Sequence, residues 1–362
     1  MIPYLMLFGL PAWFALRRPQ AQRSALRSSN FQWQVVTFIF TLVIGLRHEV
    51  GGDWFIYKEN YDRFASGELL AAMTELGTSD SAFAFLSWIA PSFGGEYFVN
   101  FVCGALFSLG LVSFCRNQPN PWLALTVAVP YLVTVVAMGY TRQGVAIGLS
   151  MLGLVALSHD KLLRFLFLIA LAGAFHKSAV ILIPLAIFSG SRHRWTAIIG
   201  VLFIGSLTFI LFLQESLERL VSGYVSDAME SSGALIRVLM NALPAMLFLL
   251  LRSRFALSVV SQGFWTWMAM GALLLVPALV LSPSSTAVDR VALYWIPVQI
   301  FVWSRLPQAI SLGPRSEQFF RQAVIIYSLS VLLVWLLFGD HSFAWIPYKF
   351  YPWVVIKSLF SV

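Results

Sequence analysis

The chain has 362 residues, of which 59% are hydrophobic and 11% are charged. Soluble domains carry about 25% charged residues, so this composition excludes a soluble enzyme, a disordered chain and a secreted disulfide scaffold. The net charge of +8 does not come from basic runs interleaved with aromatic residues, so we expect no nucleic acid partner. The mean hydropathy of +0.79 predicts instead that most of the protein lies in a lipid bilayer.

Apolar runs that suit about 30 Å of hydrocarbon recur along the whole chain. They predict an all-α polytopic membrane protein with about 12 transmembrane helices, forming a single integral membrane domain over residues 1–362. The predicted spans are residues 2–16, 31–46, 97–114, 121–139, 143–158, 162–175, 177–190, 195–213, 233–251, 263–281, 288–304 and 319–338. A shorter apolar run, Phe83 to Pro91, predicts a re-entrant or interfacial segment.

The two cysteines, Cys103 and Cys115, lie on one apolar stretch. In a helix they are about 18 Å apart, which is too far for a disulfide. We therefore expect both to be buried packing residues rather than a redox or metal-binding pair.

Lysine and arginine are distributed unequally between alternate loops. One set of loops contains only the acids Asp160 and Glu317, beside the basic residues Arg17, Arg18, Arg23, Arg27, Arg116, Lys161, Arg164, Arg192, Arg194, Arg252, Arg254, Arg305, Arg315 and Arg321. These loops carry a net charge of +12, which leaves −4 of the total of +8 for the other side. The positive-inside rule predicts that the basic side is cytoplasmic. Both termini, and the long loop at residues 47–96 between the second and third spans, are then external.

Four cations on the external side lie where inward-running spans are predicted to begin, namely Arg142, Lys177 beside His176, Arg237 and Arg290. A cation at a helix N-terminus opposes the helix dipole by about 0.3–1 kcal/mol. Their repetition on one face indicates a bound anion shared with free N–H groups. The alternative is that each reaches headgroup phosphates, or pairs with an external acid such as Asp289.

The long loop opens with a polar cluster between Gly45 and Tyr57. If Asp53 begins a short amphipathic helix, then Asp53, Tyr57 and Tyr61 share one face. A carboxylate beside tyrosine rings suits a sugar, because it accepts hydroxyl protons while the rings offer flat faces. The alternative is structural, with Asp53 as a helix N-cap and Arg47 as an interfacial anchor.

His176 lies at a span junction beside Lys177 and Ser178, on the same side as the external arginines. This position favours a base or a phosphate ligand about as much as a packing role. No His or Cys spacing suits zinc, and we find no glycine-rich phosphate loop and no Ser-His-Asp arrangement.

Several of these segments together resemble one family. The run Arg47…Val50-Gly51…Asp53…Tyr57 resembles the signature of the EpsG / Wzy-type exopolysaccharide polymerases, although the doubled glycine at 51–52 departs from it. The segments that follow in the same order are Arg142-Gln143-Gly144-Val145-Ala146, Phe175-His176-Lys177-Ser178-Ala179 with Ile183-Pro184, Asp289-Arg290…Tyr294, and Ile346-Pro347-Tyr348-Lys349-Phe350-Tyr351.

The resemblance implies a bacterial inner-membrane glycosyltransferase of GT-C-like architecture with a periplasmic active site. It would join undecaprenyl-diphosphate-linked oligosaccharide repeats, with a chain-length regulator of the polysaccharide copolymerase type as a further expected partner. The expected ligands of diphosphate and sugar are Arg47, Arg142, Lys177, Arg237, Arg290, Tyr57 and Tyr294. Because arginines can stabilise the leaving diphosphate, we expect metal-independent, inverting transfer without a cofactor.

The acceptor hydroxyl needs a base. Asp53 and His176 are the candidates, with Glu49 behind them. Alternatively, Glu49 and Asp53 hold a metal ion. Three other functions remain open: a lipid-linked oligosaccharide flippase or transporter, an O-antigen ligase, and a membrane acyltransferase. Charges gathered at one face rather than at the midplane disfavour a transporter.

Overall fold

The computed structural model describes residues 1–17, 30–70, 73, 80–185, 199 and 233–360. The predicted span 195–213, the end of the span 177–190, and Arg18, Arg23, Arg27, Arg192 and Arg194 lie outside the described residues, apart from residue 199.

Helices lie at every predicted span in the described part of the chain, except at the start of the seventh. Their bounds are Ile2–Arg17, Asn30–Gly45, Glu96–Arg116, Pro121–Ala128 with a π-helix at Val129–Ala137, Thr141–Ser158, Leu162–Phe175, Ala234–Leu251, Val259–Leu281, Ile296–Ile310 and Pro314–Phe338. The seventh span begins instead as a 3₁₀ turn, Lys177–Leu182. Shorter helices lie at Trp54–Ser66, Ser81–Ile89, Ser285–Ala292 and Tyr351–Phe360, with 3₁₀ turns at Ala90–Ser92, Arg252–Phe255, Leu293–Trp295 and Ser342–Ala344.

Five described helices are long and apolar enough to cross a membrane: Glu96–Arg116, Thr141–Ser158, Ala234–Phe255, Val259–Leu281 and Pro314–Phe338. This supports the prediction of an all-helical membrane protein. The number of twelve spans and the GT-C architecture stay predictions. The long loop carries the helices Trp54–Ser66 and Ser81–Ile89, as its amphipathic pattern predicted.

The described chain divides into two compact units, Met1–Gly148 with Arg321–Val362 and Leu149–Phe320. In the first unit, the helix Glu96–Arg116 packs closely on two neighbours through glycines. A Cβ on Gly45 would lie 2.7 Å from the Cα of Phe101, and one on Gly110 would lie 1.9 Å from the carbonyl oxygen of Gly148. Small residues allow this backbone approach, which drives helix association in membranes. Cys103 and Cys115 are buried on this helix without a disulfide, as predicted.

The second unit is built on the helix Ala234–Leu251, which packs against Val259–Leu281 and Ile296–Ile310. Aromatic rings fill its core, where Trp265 and Phe301 stack with centroids 3.7 Å apart. The first turns of two of its helices are capped by serine side chains. Ser258 accepts from the N–H of Ser261, and Ser284 accepts from the N–H of Ala287.

The predicted orientation can be tested with single cysteines, because both native cysteines are buried. Ser66 lies in the long loop, and Ser253 lies in a loop with Arg252 and Arg254; both are exposed. We expect Ser66→Cys to react with a membrane-impermeant thiol reagent in intact spheroplasts, and Ser253→Cys to react only after permeabilisation. The reverse pattern would place the long loop in the cytoplasm.

Candidate functional site

The charged side chain of Arg47 is buried in the first unit, with 1% of its surface exposed. It follows the helix Asn30–Gly45 and donates to the carbonyl oxygens of Ile44 at 2.5 Å and Val50 at 3.1 Å. It also donates to the hydroxyl of Thr141 at 2.7 Å. Burial lowers the pKa of Arg47 to about 10, so it remains charged at neutral pH. Neither the predicted interfacial anchor nor the predicted contact with diphosphate fits a guanidinium that is enclosed in this way.

The Arg47 loop pairs with a segment near the C-terminus. The N–H of His48 donates to the carbonyl of Lys349 and that of Gly51 to the carbonyl of Ala344, both at 2.9 Å. In the other direction, the N–H of Tyr351 donates to the carbonyl of Leu46 at 2.8 Å. Backbone hydrogen bonds therefore join the Arg47 loop to residues 344–351, two segments that the sequence related only through the family resemblance.

Gly51 and Gly52 have different surroundings in this loop. Gly51 has a φ of +108°, and a Cβ there would lie 2.2 Å from the carbonyl oxygen of Met138. A Cβ on Gly52 would meet only the ring of Trp345 at 3.9 Å, an ordinary contact. Gly51 is therefore the glycine that the turn requires, while the surroundings of Gly52 leave room for a Cβ.

Trp345 anchors the C-terminal segment. Its indole N–H donates to the carbonyl of Thr134 in the π-helix at 2.6 Å, and its carbonyl accepts from the hydroxyl of Tyr4 at 2.7 Å. The hydroxyl of Tyr348 donates to the carbonyl of Val43 at 2.7 Å. Three segments distant in sequence are thus fixed around the Arg47 loop.

Arg142 lies in the first turn of Thr141–Ser158, as predicted, and next to the threonine that Arg47 holds. Its Nη1 is 2.6 Å from a carboxylate oxygen of Asp80, which is itself buried. The guanidinium lies 5.4 Å from the ring centre of Tyr57 and 5.8 Å from that of Phe83. Its Nε is buried and has no hydrogen-bond partner among the residues that the structure describes.

Asp53 stands at the N-cap position of the helix Trp54–Ser66 but makes no capping hydrogen bond. Its carboxylate instead acts electrostatically on Arg142, and the hydroxyl of Tyr57 both acts on Arg142 electrostatically and accepts a side-chain hydrogen bond from it. Asp53 thus has the N-cap position that the structural alternative gave it, without the capping bond, and the structure brings Asp53 and Tyr57 to Arg142, a grouping that the sequence did not predict.

Glu49 points to the C-terminal segment rather than to Arg142. Its carboxylate forms an ion pair with Lys349 at 2.5 Å and lies 3.7 Å from the ring of His48. The hydrogen bond from Lys349 holds the pKa of Glu49 below its usual range. An ionised, paired carboxylate is a weak base, so this geometry disfavours Glu49 as the proton acceptor.

In the second unit, His176 ends the helix Leu162–Phe175, and its backbone N–H bonds to the carbonyl of Ala172. The ring Nδ1 of His176 lies 3.3 Å from the hydroxyl of Tyr294, which is buried. The structure therefore brings together two residues that the sequence placed in separate motifs. Lys177 begins the 3₁₀ turn that follows and is half-buried.

Arg237 is in the first turn of Ala234–Leu251, as predicted, and forms a two-pronged ion pair with Asp289. The distances are 2.7 Å from Nε and 2.8 Å from Nη2 to the two carboxylate oxygens. Nearby, Asn241 donates to the carbonyl of Ala292 and accepts from the amide of Gln299. For Arg237, the structure therefore shows the alternative that the sequence analysis left open, namely an ion pair with Asp289.

Arg290 does not open a span, and that prediction is wrong. It lies in the last turn of the short helix Ser285–Ala292, whose N-cap is Ser284. The apolar run that predicted one span, 288–304, is broken by a 3₁₀ turn at Leu293–Trp295. The helix-dipole argument therefore applies to Arg142 and Arg237 and does not apply to Arg290 in its short helix.

The sequence analysis did not single out Asp80. Its position just before the apolar run Phe83 to Pro91 could have indicated it, because an acid next to an apolar loop helix is a candidate partner for a cation. The network of Asn241 and Gln299, for which the sequence carries no local pattern, was also missed. No group of three His, Cys, Asp or Glu side chains in the described ranges is arranged to hold a metal ion.

A family model for the EpsG family matches residues 30–350, which is most of the chain and includes both units. The chain belongs to the EpsG family. No curated protein and no solved structure matches the chain significantly. Membership of the EpsG family indicates a polysaccharide polymerase-type function, of the glycosyltransferase-like kind. The match spans both the Arg47 loop and Lys349, the residues whose backbones pair in the structure.

The adjacent glycines Gly51 and Gly52 of the Arg47 loop give a matched pair of variants. We expect Gly51→Ala to lower the free energy of unfolding by about 2–4 kcal/mol, because it adds a positive-φ penalty to a backbone clash. Gly52→Ala should change it by less than about 1 kcal/mol. The measurement is the Tm of the purified proteins in the same detergent; equal Tm values would mean that the loop does not hold this conformation.

Proposed function

We propose that this EpsG-family chain is a polysaccharide polymerase of the bacterial inner membrane. It joins undecaprenyl-diphosphate-linked oligosaccharide repeats on the periplasmic face, through a GT-C-like architecture. Family membership and the apolar helices support this assignment.

The proposal rests on the hydrogen bonding of the Arg142 guanidinium. Asp80 holds one edge of it at 2.6 Å, while its buried Nε lacks a hydrogen-bond partner in the described part of the chain. A buried N–H without a partner costs about 1–3 kcal/mol. An anionic oxygen of the diphosphate would remove this cost, and the charge-assisted bond would strengthen as the leaving group gains charge.

The residues around Arg142 then have distinct roles. Asp80 and the rings of Tyr57 and Phe83 fix its guanidinium. Arg47 acts as a positioning residue through Thr141. In the second unit, Arg237 is held by Asp289, so we assign it a structural role. The diphosphate role of Lys177 and Arg290, and the substrate contact of Tyr294, stay predictions from the sequence.

In the proposed reaction, an acceptor hydroxyl oxygen attacks the anomeric carbon of the donor glycan. The bond from that carbon to the diphosphate oxygen breaks, and undecaprenyl diphosphate leaves with the electron pair. The hydroxyl proton passes to a protein base. One displacement inverts the anomeric configuration, and Arg142 supplies the positive charge at the leaving oxygen, so we propose that no metal ion is needed.

We propose Asp53 as the base. It lies within electrostatic reach of Arg142, so proton transfer and departure of the diphosphate would occur at one site. His176 remains the alternative, because the hydroxyl of Tyr294 orients its ring.

The function is tested with purified protein in nanodiscs and defined lipid-linked repeats, with product length read on a gel. Wild-type protein should build a ladder of polymers. Arg142→Ala should lower turnover by about 10²–10³, and Arg142→Lys should restore it only in part, because lysine loses the planar fork.

The matched control is Arg63→Ala, since Arg63 is exposed and pairs with Glu59 at 2.7 Å. It should retain normal turnover. No ladder with folded wild-type protein would overturn the polymerase assignment, and a ladder of normal length from Arg142→Ala would overturn the role of Arg142.

The base assignment predicts different effects for two variants. Asp53→Asn should lower kcat by about 10²–10⁴ while the KM for the donor is largely kept. His176→Asn should have a smaller effect on kcat. If His176→Asn instead causes the larger loss of kcat, then the histidine is the base.

A further inference from the structure

The second unit contains a hairpin of two helices that are each long and apolar enough to cross a membrane, Ala234–Phe255 and Val259–Leu281. Residues 256–258 join them. A turn between two such helices lies at a membrane surface, and the positive-inside rule predicts the cytoplasmic surface for this one. The turn is preceded by Arg252 and Arg254, whose side chains are both exposed.

An open groove of about 390 Å³ lies beside this turn. Its volume falls within the range of about 300–1,000 Å³ that is typical of ligand sites. The groove is lined by Arg252, Val259, Gln262, Gly263, Thr266 and Trp267. The members on the second helix recur every three or four positions, so they share one helix face. From Val259 to Trp267 the groove follows this helix for about 12 Å.

Gly263 leaves the middle of the groove open. A Cβ at Gly263 would meet no atom of the described residues within 4 Å, whereas one at Gly271 of the same helix would lie 2.7 Å from the indole nitrogen of Trp295. Close helix packing therefore requires a glycine at 271 and not at 263. Val259 is 87% exposed and Trp267 is 41% exposed, so the walls on either side of Gly263 present apolar surface to a ligand.

The end of the groove next to the turn is positively charged. Arg252 lines it, and Arg254 follows two positions later. The guanidinium of Arg305 lies 4.7 Å from the ring centre of Phe301, which stacks on Phe255 at the same end of the hairpin. Three guanidiniums are therefore gathered around this end.

The two helices of the hairpin contribute no acid to balance these cations. No Asp or Glu occurs between Arg237 and Asp289, and those two residues pair with each other. Arg237 precedes Arg252 by about 22 Å of helix, so this ion pair lies toward the opposite end of the hairpin. The charge at the turn is thus complementary to an anion at the membrane surface.

We propose that this groove binds an anionic phospholipid. The lipid phosphate accepts hydrogen bonds from the guanidinium of Arg252 and the amide of Gln262. The first carbons of an acyl chain lie over Gly263 and along the ring of Trp267, and the rest of the chain leaves through the open side of the groove. This site is separate from the proposed chemistry, since it lies in the second unit at the surface that is predicted to be cytoplasmic.

The charge of the headgroup determines which lipids bind. The hydroxyl of Thr266 donates to the carbonyl of Gln262 at 2.7 Å, so its proton is already used, and arginine provides the main attraction. A zwitterionic headgroup brings an ammonium group close to Arg252 and loses part of this attraction. The groove therefore favours phosphatidylglycerol over phosphatidylcholine, as basic sites between membrane helices do.

The test is lipid binding to the delipidated full-length protein in dodecyl maltoside, read by native mass spectrometry and by Tm. Dioleoyl phosphatidylglycerol should bind at least about tenfold more tightly than dioleoyl phosphatidylcholine. It should also raise the Tm, because a ligand of the folded state stabilises that state. Inorganic phosphate at about 10 mM should not displace it. Equal affinity for the two lipids, or displacement by inorganic phosphate, would overturn the proposal.

Two variants localise the binding to the groove. Arg252→Gln removes the charge, and Gly263→Leu fills the open space. Each should weaken binding of phosphatidylglycerol by about tenfold or more. The matched controls are Arg17→Gln, at an exposed arginine that ends another apolar helix, and Gly9→Leu, where a Cβ also meets no described atom within 4 Å. Both controls should bind like wild type.

The Tm of each lipid-free variant is measured first. Leucine favours a helix more than glycine does, so Gly263→Leu should be at least as stable as wild type. Wild-type binding by both Arg252→Gln and Gly263→Leu would contradict the proposal. Equal weakening in the controls would also contradict it, because the lipid would then be attracted by the cationic apolar surface in general and not by this groove.

Discussion

The geometry of the first unit depends on one buried charge, the guanidinium of Arg47. Moving an ion out of water costs several kcal/mol, and attraction to neutral acceptors compensates only when their geometry is good. The two carbonyls and the hydroxyl around Arg47 all lie at hydrogen-bond distance. They therefore fix the end of one helix, the loop after it and the first residue of Thr141–Ser158. Because Arg142 is the next residue in the chain, this arrangement also fixes the position of its backbone.

The loop that Arg47 organises also receives the C-terminal segment. Backbone bonds to Ala344 and Lys349, and the ion pair between Lys349 and Glu49, join segments about 300 residues apart. Gly51 allows this loop to approach the carbonyl of Met138 without a side chain between them. The first and last segments of the family resemblance, the Arg47 loop and residues 346–351, are thus in direct contact.

The sequence predicted the local features well. Apolar runs located the helices, because burial in lipid leaves a strong one-dimensional pattern. The pairing of Arg142 with Asp80 and the docking of Trp345 depend on residues far apart in sequence, and no local pattern encodes them. Arg290 was misplaced for a different reason: hydropathy does not reveal that the run 288–304 contains a 3₁₀ turn. The alternatives for Arg47 both assumed an accessible side chain, since composition alone does not show the burial of an arginine.

The ion pairs explain why cations occur on the side that the positive-inside rule depletes. Arg142 with Asp80, Arg237 with Asp289, and Lys58 with Glu96 each join a basic and an acidic residue of the predicted external side. A neutral pair adds no net charge, so such cations are compatible with the negative balance of that side. The pairs are nevertheless chemically unequal. Asp289 engages Arg237 through both prongs, while Asp80 engages Arg142 through one nitrogen and leaves a buried Nε. Because Asp80 and Tyr57 fix the guanidinium while its Nε keeps a free donor within the described ranges, this difference supports the proposal that Arg142, rather than Arg237, binds a substrate phosphate.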